Sequence, residues 1–562
     1  MAQTTSLTYS PIGWCLNDHT DPIRQVRDGA TLDTDPAGIR AALLRLNEPV
    51  ILIRKNNGIG LSKSGSLIIG GNVPEEKRGA PVLGYTAPLP PGNLGDREFC
   101  HFHGIRYAYV VGAMANGITS VSMVEAAGRA GLLAFFGAGG LSLSGIDDAI
   151  GHLQKSHDRR PFPFGFNLIH SPADPSLEMK TVELYLERQV RLISASAFMD
   201  VTLPVAYYRI KGIHQGADGR IMVPNHVIAK VSREEVARKF LSPPPEKIIT
   251  RLLQQKRISD HEANLARRIP MADDLTAEAD SGGHTDNRPA LSLLPTIMAI
   301  RDEISRNHAY PRPPGVGLGG GIGTPASTAA AFAMGAAFVL TGSVNQACIE
   351  SGTSEAVRKM LADTRQADVV MAPAADMFEL GVKVQVLKRG TLFPLRARKL
   401  YDLYTRYETY GDIPDEDRRW IETDLLKKSF DDEWQLTREF FARRDPGQLQ
   451  RAQKSPRHRM ALVFRSYLGQ ASTWANTGVT DRRLDYQIWC GPAMGAFNEW
   501  TRGSFLADTG QRDIVTVAHN FIFGAAVIHR CQQLRSQGIP LPTEAGHFKP
   551  LPLDRIQQLM KE

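Results

Sequence analysis

At 562 residues the chain is too long for one ordinary hydrophobic core, so two or three domains are expected. Its 42% hydrophobic and 22% charged residues are the composition of a soluble globular protein. The net charge of +7 is dispersed apart from Arg443-Arg444 and residues 454–459, and it comes with no zinc-finger or RNA-binding signature, which excludes nucleic acid and fits an acidic protein partner or a phosphorylated substrate.

From the amino end, residues 1–21 lack the basic-then-apolar pattern of a signal peptide. No apolar run approaches the roughly 20 residues that span a bilayer, so a cytoplasmic chain with no membrane partner is expected. Cys15, Cys100, Cys348, Cys490 and Cys531 are scattered, odd in number and without C-x-x-C spacing, and read as reduced, buried thiols with no metal role. Residues 1–95 predict a small α+β region: a helix over 36–46, strands over 50–54 and 66–69, then a Pro/Gly-rich linker over 87–95. From 96 to 390 the pattern becomes strand, glycine loop, helix, repeated. Candidate strands are 107–111, 132–136, 164–168, 191–194, 226–231, 275–278, 316–318 and 338–340. Short strands alternating with helices imply a parallel sheet, and eight of them in roughly 250 residues imply a closed (β/α)8 TIM barrel. Ser232 with Glu235 reads as a capping box opening the helix after the fifth strand, and residues 240–270 read as a helical insertion. Residues 391–562 predict a helical substrate or docking domain, with amphipathic helices over 400–410, 420–442 and 513–537.

The densest motif is the glycine run 315–323, which feeds Thr324 and Pro325, an N-cap and a first helical residue. Bare N–H groups at a helix start hold anions, so the run reads as a phosphate cradle. Gly315, Gly317 and Gly320 satisfy G-x-G-x-x-G, but the prolines of 310–314 cannot form the strand a dinucleotide fold requires there. The next acidic residue, Glu350, also comes too late for a ribose hydroxyl. The strand is therefore 316–318, with Gly319 to Gly323 as its exit. The next strand ends in Thr341-Gly342-Ser343, and two successive exits built for an anion match the phosphate grip between the seventh and eighth strands of a barrel.

Function in a barrel sits at the carboxyl ends of its strands. The first exit is Gly112-Ala113-Met114-Ala115-Asn116-Gly117, small enough for a flat ring to approach, with Met114 to pack on it. Asn167 at the third exit can both donate and accept at a heterocycle edge. Lys230 at the fifth can stabilise negative charge on a reduced ring. The sixth exit is Glu278-Ala279-Asp280-Ser281-Gly282-Gly283-His284, and His284 is read as the one group on an exit loop that titrates near neutral pH. A phosphate plus a flat, amide-read, cation-stabilised site suits flavin mononucleotide (FMN). A flavin-free barrel acting on a sugar or nucleotide phosphate, and an idle scaffold, stay open at this point.

Gly112-Ala113-Met114, Lys230-Val231-Ser232, Asp280-Ser281-Gly282-Gly283-His284, Gly320-Gly321-Ile322 and Gly342-Ser343 resemble the FMN barrel of nitronate monooxygenases and flavin-dependent enoyl-acyl-carrier-protein reductases. Leu94-Gly95-Asp96, His103-Gly104, Gly112 to Ile118 and the stretch Trp489 to Phe497 resemble one branch, the stand-alone enoyl reductase subunits of polyunsaturated fatty acid synthases and trans-acyltransferase polyketide synthases. The resemblance implies that Gly112, Ala113 and Met114 lie against the flavin, that Asn167 and Lys230 bond its polar edge, and that Gly320, Gly321, Gly342 and Ser343 hold its phosphate. Asp280 and Gly283 would complete the cofactor loop, and His284 and Lys230 would be catalytic. The relatives usually carry glutamate where Asp280 stands. The implied reaction is NADPH-driven reduction, through FMN, of an enoyl chain on an acyl carrier protein, in company with other synthase subunits; a homodimer is left open. The alternative activity is a nitronate monooxygenase-like flavin oxidase.

Overall fold

The computed structural model describes residues 13–16, 36–55, 58–62, 66–69, 80–171 and 174–561. The chain forms two compact units: Met1–Arg97 with Pro325–Ala333 and Thr516–Glu562, and Glu98–Thr324 with Met334–Val515. The expected boundaries at 95 and 390 are sequential; these units are not, because the amino-terminal residues group with two later segments.

The larger unit is built on a closed barrel of eight parallel strands: Tyr109–Val111, Leu133–Phe136, Gly165–Ile169, Leu192–Ser196, His226–Val231, Asp274–Glu278, Gly315–Gly319 and Val339–Thr341. Each overlaps its expected strand. Their residues are buried nearly throughout, as in a sheet covered on both faces. Val110, Phe135, Phe166, Ile193, Ile228 and Leu275 are all fully buried.

Two consecutive aspartates lock the amino end of the sixth strand. Asp273 accepts two bonds from the buried Arg209 guanidinium, at 2.7 and 2.8 Å, and one from His226 at 3.2 Å. Asp274, fully buried, accepts from His103 at 2.7 Å, Arg312 at 2.6 Å and the Gly315 N–H at 2.7 Å. His103 thus serves the base of the barrel.

After the fifth strand come the helix Glu234–Leu241 and, where the insertion was expected, two short helices, Glu246–Gln254 and Asp260–Ala266. The expected capping box is not made. Ser232 donates instead to Asp286 at 2.6 Å, Arg233 pairs with the same carboxylate, and the helix starts without a side-chain cap. A capping box forms at Ser259 and Glu262.

Beyond the barrel, Gly283–His284, Lys383–Leu387 and Val369–Pro373 make a small antiparallel sheet. The chain then enters a helical excursion whose core includes Leu400, Ile421, Leu425, Phe464 and Leu468, continuous with Val384 and Val386 of that sheet. The expected helix 400–410 is Phe393–Arg406. The expected helix 420–442 is broken: Lys427 takes a left-handed conformation (φ 56°) and Ser429 caps a new helix, Phe430–Arg444. The excursion leaves and returns at one place. Leu392 N–H donates to the Leu484 carbonyl at 2.8 Å, and the Thr391 hydroxyl reaches the carbonyls of Leu484 and Tyr486 at 3.0 and 2.9 Å.

The smaller unit carries a five-stranded antiparallel sheet in the order Gly58–Ser62, Val50–Lys55, Ala80–Thr86, Gly13–Leu16, Ser66–Ile69. Three of these strands were not expected from sequence. The helix Pro36–Leu44 ends on the buried Arg530, which donates to the carbonyls of Leu43, Arg45 and Glu48. Among the described residues one helix, Ile514–Ser536, is long and apolar enough to cross a bilayer by length and composition, but most of it is buried inside the protein, as in a core helix.

Candidate active site

The glycine run divides by function. A methyl group added at Gly315 would strike the Asp274 carboxylate at 2.8 Å, at Gly317 the Phe338 ring at 2.4 Å, and at Gly319 the Thr276 methyl at 3.0 Å. At Gly320 (φ +84°) it would meet the backbone of Ala279 at 2.6 Å, and at Gly323 the Ala493 carbonyl at 2.3 Å. These five glycines therefore serve close packing. Gly321 (φ +73°) alone in the run faces open space, and so does Gly342 at the neighbouring exit. Gly319 and Leu340 are register partners, so these two openings lie at adjacent strand ends. Of the four residues expected to hold a phosphate, Gly320 packs against the sixth exit, while Gly321 and Gly342 face open space. Ser343 begins the turn after Gly342, and its hydroxyl accepts the Gly491 N–H at 2.9 Å.

The first exit is drawn into a compact loop by Thr119, whose hydroxyl donates to the Gly112 carbonyl at 2.8 Å and accepts the Met114 N–H at 2.9 Å. Gly112 donates to Thr341, joining this exit to the eighth. Ala113 and Met114 stay half-exposed at the rim. Asn167 is buried, and its Oδ1 is already occupied by the N–H groups of Ala138 and Gly139 at 2.7 and 3.2 Å. It therefore presents only Nδ2, a donor, where donor and acceptor were both expected.

Lys230 is paired with Glu278 at 2.6 Å, both less than one-fifth exposed, and Glu278 also accepts from Ser281. The fifth exit thus offers an ion pair where an isolated cation was expected. Asp280 accepts from Asn287 at 2.7 Å and Gln385 at 2.8 Å, and Gln385 also holds the Ser281 carbonyl. These bonds, both at Oδ1, anchor the Asp280 loop on the small sheet.

His284 extends that sheet. Its Nε2 meets Asp376 at 3.2 Å and its ring stands edge-on to Trp489, centroids 5.6 Å apart. Burial works to raise the Asp376 carboxyl, and the hydrogen bond and charge of His284 outweigh it and hold it below the usual range. Gly283 (φ +78°) lies so close to Trp489 that a methyl group there would be 2.8 Å from the indole.

The stretch around Trp489, known from sequence only as a family signature, proves to be a strap across three exits. Trp489 bridges Val386, Cys490 N–H donates to Gln385, Gly491 N–H reaches Ser343, and Ala493 backs onto Gly323. Burial pushes the Cys490 thiol up to about 12, so it is an inert packing group. A methyl group on Gly491 would fall 2.7 Å from the Gly282 nitrogen. Gly491→Ala is expected to destabilise the larger unit by about 1–3 kcal/mol, read as a lower urea midpoint.

A second histidine stands at a strand exit, correcting the expectation that His284 is alone there. His170 follows the third strand directly. Its Nδ1 pairs with Glu178 at 2.9 Å and its ring stacks on Phe198 at 5.2 Å.

The fatty acid synthase subunit PfaD N-terminal domain family matches residues 28–88, and the inserted helical domain of [acyl-carrier-protein] S-malonyltransferase matches residues 407–486. A polyunsaturated fatty acid synthase component from Thraustochytrium sp. is 44% identical over 82% of this chain and 31% of its own length. The polyketide biosynthesis protein PksE of Bacillus subtilis is 42% identical over 79% of this chain and 57% of its own. The chain thus spans between about a third and somewhat over half of these relatives. The crystal structure of the enoyl reductase domain of MlnA, from the macrolactin biosynthesis cluster of Bacillus amyloliquefaciens, superposes with a TM-score of 0.75 at 37% identity, covering 80% of this chain and all of that one. With its barrel, strap and helical excursion, the chain belongs to the enoyl reductase family of polyketide and polyunsaturated fatty acid synthases.

Proposed function

We propose that this protein reduces the α,β double bond of an enoyl thioester borne by an acyl carrier protein, with NADPH as hydride donor and FMN at the barrel mouth, in polyketide or polyunsaturated fatty acid biosynthesis. The observation that carries the reading is the pair of glycines, Gly321 and Gly342, that leave open space at adjacent strand exits of an enoyl reductase-family barrel. The residues present fit FMN. Main-chain N–H groups at Gly321, Gly342 and Ser343 would take the phosphate, Asn167 Nδ2 and Lys230 the polar ring edge, and Ala113 and Met114 the ring face. Two buried polar atoms at this end, Thr276 Oγ1 and Trp489 Nε1, have no partner among the described residues, as befits walls completed by a ligand. Bound there, FMN supplies hydride transfer between the nicotinamide and the β-carbon.

The chain's residues must do two further things. A donor must face the thioester oxygen, where negative charge develops, and a proton must reach the α-carbon. His284 serves one of these tasks. Its Nε2 is fixed by Asp376, so the ring is held in place and Nδ1 is left to face the substrate. Glu278 holds the Lys230 ammonium at low exposure, where its charge is poorly screened. The carrier protein and other synthase subunits are the expected partners, and an acidic carrier suits the net charge of +7.

The test is the visible spectrum of the purified protein, followed by reduction of a crotonyl thioester with NADPH in the absence of oxygen. A colourless protein that stays colourless with added FMN overturns the reading. A yellow protein that oxidises nitronates and leaves the thioester untouched turns it into the oxidase alternative. His284→Ala is expected to keep the pigment while turnover falls about 10²–10⁴-fold, and unchanged turnover would take His284 out of the mechanism.

A further inference from the structure

Reduction of the enoyl thioester calls for a proton at the α-carbon as well as a donor at the oxygen, and His284 is one group. Resting on the reading above, we infer that His170, oriented by Glu178, delivers the α-carbon proton.

Two other described histidines that pair with carboxylates, His458 and His103, serve the scaffold. His458 is buried with both nitrogens bonded, Nδ1 to Glu379 at 2.7 Å and Nε2 to Gln448 at 3.0 Å, which is the pattern of a packing residue. His103 is buried against Asp274 at the amino end of the barrel, away from the strand exits. His170 differs from both. It stands at the carboxyl end of the third strand, three residues after Asn167, with its side chain 20% exposed. Nδ1 faces the Glu178 carboxylate at 2.9 Å, and since a carboxylate only accepts, Nδ1 carries the hydrogen. Nε2 has no protein partner among the described residues. The tautomer and the ring plane are therefore set, and the ring is braced on Phe198.

Glu178 is itself a costly arrangement. It is a carboxylate only 3% exposed, in the first turn of the helix Pro175–Glu187. Apart from the Ser171 N–H at 3.4 Å, its oxygens go to His170 and to the hydroxyl of Thr202, which lies beyond the fourth strand. Burying a carboxylate is unfavourable unless it is paired and hydrogen-bonded, and the His170 ring, the Thr202 hydroxyl and the Ser171 N–H are the partners that meet this one. Here it holds an imidazole ready to carry a proton, as the third member of a triad does.

The step balances. Hydride arriving at the β-carbon moves the π electrons to the α-carbon and thioester oxygen. The protonated His170 gives its Nε2 proton to the α-carbon as the new C–H bond forms, and the neutral imidazole regains a proton from solvent through its exposed edge.

The experiment separates the half-reactions. Protein is reduced with NADPH without oxygen and then mixed with crotonyl thioester in deuterated water. His170→Ala is expected to keep bound flavin and the wild-type rate of reduction by NADPH, while reoxidation by the thioester slows about 10²–10⁴-fold, with kcat falling and KM little changed. Added imidazole should restore reoxidation and the deuterium at the α-carbon without altering the NADPH step, a response that a merely structural histidine would not give. Glu178→Gln, which keeps an acceptor but loses the charge, should fall between. Reoxidation within a few-fold of wild type in His170→Ala overturns the assignment. Should that variant purify without flavin, His170→Asn and Glu178→Gln are read in the same half-reaction, and wild-type reoxidation in either overturns it as well. A wild type that is colourless, or that the thioester does not reoxidise, overturns the enoyl reductase reading itself and this assignment with it.

Discussion

Gly342→Leu is expected to give folded protein that has lost its pigment and, with it, all thioester reduction. Nothing lies within 4 Å of the position a β-carbon would take at Gly342. No protein atom is therefore struck by the new side chain, whereas a phosphate in that space is. Each hydrogen bond to a charged phosphate oxygen contributes about 1.5–3 kcal/mol, so displacing two costs about 3–6 kcal/mol, on the order of 10²–10⁴ in affinity. Gly321 is a less clean site for this substitution, because at φ +73° any side chain adds backbone strain to the steric effect. The measurement is flavin content per chain beside the urea midpoint. Loss of pigment at an unchanged midpoint supports the cradle, and full pigment in Gly342→Leu removes it.

The largest loss of stability is expected far from the mouth, at the base of the barrel. Asp273→Ala leaves the Arg209 guanidinium, 1% exposed, with only the carbonyls of Asn225 and Pro270 for company. Removing one partner of a buried ion pair costs about 3–5 kcal/mol. For a unit of this size that is a fall on the order of 10 °C in the thermal midpoint. The pH dependence has a definite sign. Burial alone would raise the Asp273 carboxyl, but the charges of Arg209 and then His226 outweigh it and hold the group far below the ordinary range. A carboxylate depressed in the folded state contributes stability that is whole above its unfolded value of about 3.9 and is lost as pH falls towards the folded one. The gap between wild type and Asp273→Ala should therefore be constant from about pH 8 to 5 and narrow below about pH 4. A gap that is already closing at neutral pH would show that the pair does not stabilise through charge.

The barrel was legible because its code is local. Short apolar runs ending in glycine mark strand and exit, and the prolines before Gly315 were enough to set aside a dinucleotide fold. The site was legible only in part, because its partners are distant in sequence. Asn167 reads as a two-way amide until Ala138 and Gly139 claim its oxygen, and Lys230 reads as a free cation until Glu278 folds beside it. The capping box at Ser232 failed for the same reason: Asp286, from the next strand's exit loop, displaces a helix N–H as the partner of the hydroxyl. The glycine run is legible as a motif but not as a division of labour: five of the six glycines from Gly315 to Gly323 leave no room for a methyl group, while Gly321 faces open space. His170 left a signal that could have been found, since a histidine two residues after an expected strand, with an acid eight residues on in a helix first turn, is a pattern in the sequence. The two-residue strand carrying His284 left none, because its partner strand begins almost a hundred residues later.

The helical excursion that closes on Thr391 and Leu484 has a consequence for how such an enzyme diversifies. Once the two ends of a segment are stitched together, its contour length is nearly free: each doubling of a closed loop costs only about 0.6 kcal/mol. Helices can be lengthened, traded or reshaped on the far side of that seam while the residues at either stitch keep their places. The strap that follows the seam, and the histidine edge it supports, are thereby shielded from changes in the helices beyond it. The two parts can then drift at different speeds within one polypeptide.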